Sequence, residues 1–144
     1  MKRMTKWLLV FALLLAPMSA FAGVLDGTPF AYTGTVKAYI SNGEGMVLRV
    51  PTNTNTREVK IYSLGPMWYW IAKGVPRPPI GTTDVMVVGY NYNGINYPFR
   101  VKYESKEIFL RNAETGAPLW TEAENFIHTQ QQYQYLFNTG QTAN

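Results

Sequence analysis

The stretch Leu64-Gly65-Pro66-Met67-Trp68-Tyr69-Trp70-Ile71-Ala72-Lys73-Gly74 decides how the rest of the chain is read. Pro66 suits the first turn of a helix, and Gly74 lies just past an expected helix end. Met67, Trp70 and Ile71 fall at i, i+3 and i+4, which predicts a short helix with that apolar face turned to the core. Trp68 and Tyr69 then point elsewhere. Val75-Pro76-Arg77-Pro78-Pro79-Ile80 cannot continue a helix and is expected to run extended, in polyproline fashion.

Upstream of this helix the pattern has a period of two. Phe30 to Ile40 sets Tyr32, Gly34, Val36, Ala38 and Ile40 against Thr33, Thr35, Lys37 and Tyr39, which predicts a strand. Ser41 to Gly45 is a turn, because Asn and Gly tolerate positive φ. Met46 to Val50 and Arg57 to Ser63 give two more strands around the polar loop Pro51 to Thr56. Downstream, Asp84 to Tyr92 and Ile95 to Tyr103 flank Asn93-Gly94, a strong hairpin signal. Pro98 predicts an edge or a bulge in the return strand. Glu107 to Arg111 follows a turn at Glu104-Ser105-Lys106, and a second turn at Glu114 to Gly116 leads to Pro118-Leu119-Trp120.

Three strands, a short helix, then two or three strands is the element order of an OB-fold, a five-stranded Greek-key barrel. From roughly Tyr32 to Trp120 the chain resembles that fold by element order together with Gly65-Pro66, Gly81, Asp84-Val85, Val87 and Gly89. The passages Gly65 to Trp70, Pro79-Ile80-Gly81 and Leu110-Arg111-x4-Gly116-x-Pro118-Leu119-Trp120 also resemble a group of small exported bacterial OB-like proteins of unassigned activity. The expected fold is therefore mainly β, an OB-fold-like barrel over residues 23–120 with the helix plugging one end. An SH3-like small barrel is the alternative.

The N-terminus has the composition of an export signal. Lys2, Arg3 and Lys6 precede the apolar run Trp7 to Ala16, Pro17 ends it, and Ala20-Phe21-Ala22 supplies small residues for cleavage before Gly23. That run is shorter than the ~20 residues a membrane span needs, so residues 1–22 are expected to be a cleavable signal peptide, with no transmembrane anchor left afterwards. The working chain is then expected to be periplasmic or secreted. Removing 22 of 144 residues leaves 122, enough for one domain. The whole chain carries 13 Lys and Arg against 9 Asp and Glu. Three of those cations leave with the signal, so ten remain against nine acids, a net of +1. Composition thus gives no argument for nucleic-acid binding, which ordinarily needs a basic stripe. Residues 121–144 open with Thr121-x-x-Glu124, a capping-box pattern, and continue into a Gln-rich stretch; they read as a C-terminal helix or a flexible tail.

Several chemistries lack their residues. There is no Cys, which removes disulfides, thiol nucleophiles and thiolate metal sites. His128 is the one His, and a transition-metal site wants two or more His or Cys ligands. No Ser sits in Gly-x-Ser-x-Gly. Glu104 and Glu107 flank a tight turn, and their spacing gives no sign of the separation across a cleft that glycoside chemistry needs. Gly43-x-Gly45 is a turn and lacks the rest of a phosphate loop. The chain is expected to be no enzyme, and neither a cofactor nor a metal is assigned.

Two binding surfaces remain. Trp68, Tyr69 and Arg77, beside a stiff proline segment, have the composition of a protein-docking site. This predicts a non-catalytic exported module that assists or joins another periplasmic or secreted protein or assembly. Alternatively, Lys37, Tyr39, Arg49, Lys60 and Tyr62 would share the outer barrel face, where rings and cations can bind an oligosaccharide or single-stranded nucleic acid.

Overall fold

The computed structural model describes residues 23–122. Six strands and one short helix follow in the order β1 (Thr28–Ile40), β2 (Gly45–Pro51), β3 (Thr56–Ile61), α1 (Met67–Ala72), β4 (Val85–Tyr92), β5 (Ile95–Tyr103) and β6 (Lys106–Phe109). All the pairings are antiparallel and build one sheet of order β3-β2-β1-β4-β5-β6. The chain is mainly β, as expected. The strand ladder stays open between β3 and β6, so strand pairing does not establish the expected closed barrel. The segment expected to be a signal peptide (residues 1–22), His128 and the tail beyond Glu122 lie outside the described residues. Among the described residues no helix is long and apolar enough to cross a membrane.

The long first strand organises the sheet. Thr28 to Gly34 pairs with β4, and Thr35 to Ile40 pairs with β2. At the changeover a Cβ on Gly34 would stand 2.4 Å from the carbonyl oxygen of Arg49, so only Gly allows the two backbones to approach this closely. Beyond the changeover, the edge of β1 that β4 has left bonds to the loop before β4: the Val36 N–H donates to Thr82 O, and the Gly81 N–H donates to Val36 O.

Two bulges adjust the alternation. In β1, Val36 faces Leu48 while Ala38 faces Val47, so Lys37 is an extra residue. In β5, Arg100 faces Val88 while Pro98 faces Gly89, so Phe99 is extra, beside the proline that predicted a bulge. The bulge at Lys37 has a larger consequence. Residues beyond it change face, since side chains alternate with a strict period of two. Tyr39 therefore comes to the core side opposite Met46, where it packs against the buried cluster. The expected placement of Tyr39 on the outer face is corrected accordingly.

A single cluster forms the core. Val36, Met46, Leu48, Val59 and Ile61 from β1 to β3 meet Val85, Val87, Val101, Tyr103 and Ile108 from β4 to β6, with Leu64, Tyr69, Trp70, Val75 and Leu110 filling between them. The helix enters this core with Trp70 buried as expected, but rotated so that Tyr69 joins it in place of Met67 and Ile71. Tyr69 and Trp70 are 1% and 0% exposed, while Met67 and Ile71 are 51% and 48% exposed. Polar anchors explain the rotation. The Trp70 Nε1–H donates to Leu64 O at 2.7 Å, and the Tyr69 hydroxyl donates to Phe109 O at 2.8 Å. Each large ring buries its area and satisfies its polar atom, which Met and Ile could not do in the same position.

Candidate functional site

Ser63, at φ 57°, and Gly65, at φ 85°, turn the chain sharply out of β3 towards α1. Between them the Leu64 N–H donates to Glu44 O, which holds this turn to the β1–β2 connection. Far along the sequence, Arg111 and Pro118 form an isolated bridge, and the Leu119 N–H donates to Leu110 O. That return lays the indole of Trp120 directly over Gly65. A Cβ there would come within 2.8 Å of Trp120 ring atoms.

These segments enclose an open groove of about 520 Å³. Tyr62, Trp68 and Trp120 supply its aromatic lining, Gly65 and Pro66 its backbone-rich part, and Ser63 and Glu44 its polar groups. Apolar surface with a few placed polar atoms is the usual make-up of a binding site. A smaller depression of about 300 Å³ is lined in part by Tyr69, Lys73, Glu107 and the half-exposed Phe109.

Two arginines brace the groove from behind. Arg111 is 7% exposed; it donates to Gly116 O at 2.8 Å and to Ser63 Oγ at 2.9 Å. Its guanidinium lies 5.0 Å from the Tyr97 ring centre and 6.0 Å from that of Trp120. Arg77 donates to Gly43 O and Gly65 O, and stands 5.1 Å from the Trp70 ring centre. Burial lowers both guanidinium pKa values from their usual range, with Tyr39 opposing the shift at Arg77 and Tyr97 opposing it at Arg111. An arginine remains cationic under such a shift.

The sequence-derived candidates separate in space. Trp68 and Tyr62, assigned to different surfaces, meet in the groove. Tyr69 is in the core and does not present its ring for docking. Arg77 clamps the β1–β2 connection to the groove and stiffens the proline segment. Tyr39 joins that clamp, because its hydroxyl donates to Pro78 O at 2.6 Å, and burial pushes its pKa up to about 12 against the pull of Arg77. Tyr103 likewise donates to Pro76 O. On the outer face Lys37, Arg49 and Lys60 are exposed. They gather around Glu58, which ion-pairs with Lys37 and faces Arg49 across β2 and β3. The Glu58 carboxyl is held below its usual pKa by the Lys37 hydrogen bond first, then by the nearby cations.

Trp120, Ser63, Glu44 and Arg111 were not legible as site residues. The groove lining draws on residues up to 76 positions apart, from Glu44 to Trp120. The one local signal was a Trp beside Pro118 after the last strand, in a polar stretch with little else to bury. Among the described residues no group of three or more His, Cys, Asp or Glu could hold a metal ion. Compared with family models, curated proteins and solved structures, the chain matches none.

Proposed function

We propose that this chain is a non-catalytic exported binding module that joins another exported protein, and that it holds an extended segment of that partner in the groove of Tyr62, Trp68 and Trp120. The carrying observation is the convergence of three large rings, from the end of β3, from α1 and from the segment after β6, around one open depression. Aromatic grooves dock extended and proline-containing segments because rigid rings offer contact area at little entropic cost. The same reading takes the sheet as an OB-like barrel in outline. Its support is the single core drawn from all six strands, and a link in which the Tyr62 N–H donates to Asn96 O and Asn96 Nδ2 donates to Lys60 O.

The test is in-cell photo-crosslinking with the reactive residue placed in turn at Trp68, Tyr62 and Trp120, and at Arg49 as the outer-face control. One exported protein recovered from the groove positions and not from Arg49 supports the reading. Adducts from Arg49 alone would move the docking face to the sheet.

The outer face keeps a second reading alive, since Lys37, Arg49 and Lys60 surround a single carboxylate there. Such a face would bind a linear polymer, an oligosaccharide or single-stranded nucleic acid, independently of the groove. Polymer binding that survives Trp120→Ala and disappears with Lys60→Ala and Arg49→Ala would favour it.

A further inference from the structure

Resting on the groove as the docking site, we propose that the docked segment presents a basic side chain, Lys or Arg, which the groove recognises with Glu44 and its rings. Glu44 is the one formally charged residue in the groove lining. It is exposed, and its carboxylate has no hydrogen-bond or ion-pair partner among the described residues. A carboxylate beside Tyr62, Trp68 and Trp120 is the composition that suits an ammonium or guanidinium group: the ring faces attract the cation and the acid fixes it. This chain already sets cations over ring faces internally. Arg57 lies over Tyr32, Lys73 over Tyr69, Arg77 over Trp70, and Lys106 over Tyr103.

Arg77 and Arg111 place positive charge behind the groove. Neither lines the groove, and both direct their guanidinium N–H groups at Gly43 O, Gly65 O, Gly116 O and Ser63 Oγ. Glu44 is exposed, whereas Arg111 is buried and Arg77 half-buried, so an entering cation meets the carboxylate first. The competing occupant is an acidic side chain reaching the Ser63 hydroxyl, with Arg111 behind it. Charge distinguishes these two occupants directly.

The experiment selects random twelve-residue peptides displayed on phage against the purified protein, with Trp120→Ala as counter-selection. Recovered peptides are then synthesised, together with analogues in which Lys or Arg is replaced by norleucine. Enrichment of Lys or Arg next to apolar residues is expected. The norleucine analogue should bind about fivefold more weakly. That preference should fall below about twofold in Glu44→Gln and in high salt. Glu44 is exposed, so this variant should keep the fold. Recovered peptides that depend on Trp120 without a basic residue overturn the cation inference and leave the groove reading standing. Enrichment of Asp or Glu, lost in Ser63→Ala, overturns it in favour of an anion. No peptide that depends on Trp120 overturns the groove reading and this inference with it.

Discussion

Gly65 meets two requirements that no other residue meets. Its φ of 85° is left-handed, and its missing side chain makes room for the face of Trp120. Gly65→Ala should destabilise the protein by about 2–3 kcal/mol, part from backbone strain and part from the displaced indole. A double-mutant cycle separates the parts. In a Trp120→Ala background the steric part disappears, and Gly65→Ala should cost only about 1 kcal/mol by urea denaturation. Equal costs in both backgrounds would mean that Trp120 does not rest on Gly65. The buried tyrosines give a second expectation. Burial pushes Tyr39 and Tyr69 up to about 12, opposed at Tyr39 by Arg77 and reinforced at Tyr69 by Glu122. Between pH ~10 and 12 the unfolded chain loses these phenolic protons while the folded chain keeps them. Stability is therefore complete below pH ~10 and falls as the pH rises through that window. Tyr69→Phe should flatten part of that fall when unfolding is followed against pH, even though it removes the hydrogen bond to Phe109 O.

At the level of elements, the alternation and the turn residues located the structure well. The return strand Ile95–Tyr103 has the expected bounds, and the helix begins at Met67 as Pro66 implied. Facing was harder to read than position. Apolar spacing could not tell which of five large apolar residues in α1 would go inside, because the choice rests on distant carbonyls at Leu64 and Phe109. The bulge at Lys37 has a similar origin. No residue in Val36-Lys37-Ala38 announces it, and the change of face arises from pairing with β2. The candidate site suffered from both. Tyr69 and Tyr39 moved inward, while the half-buried Trp68 and Tyr62 line a groove whose third ring lies some fifty residues away. The facing of α1 is testable by paired substitutions. Ile71→Ser and Met67→Ser should each change stability by less than about 0.5 kcal/mol, as surface substitutions do. Trp70→Ala should cost about 3–5 kcal/mol, as deletion of a buried ring does. A large loss from Ile71→Ser would return the helix to the facing that its spacing first suggested.

For the whole molecule the question is what holds β3 near β5 when the ladder leaves both ends of the sheet unpaired. Without a disulfide, noncovalent contacts must hold them together. The shared core draws the two halves together but fixes no register between them, since apolar contact is not directional. Asn96 supplies direction. Its backbone oxygen accepts from the Tyr62 N–H at 3.1 Å, its Nδ2 donates to Lys60 O at 2.9 Å, and its Oδ1 accepts from Asn91 Nδ2 at 2.8 Å. One residue therefore ties the end of β3 to the β4–β5 hairpin, at the point where Tyr62 enters the groove. Asn96→Ala removes both side-chain bonds and should cost about 1–2 kcal/mol. Its local signature is more informative than its size. The Tyr62 amide should exchange with deuterium faster than amides inside β4, because the edge opens before the core does. Asn96→Asp keeps an acceptor for Asn91 but sets a carboxylate against Lys60 O, so it should fail to restore slow exchange. If Tyr62 exchanges at the same rate in Asn96→Ala, the core alone sets the closure. In that case the groove should also keep its affinity for any partner in the variant. If exchange and affinity fall together, the groove depends on this link between the two ends of the sheet.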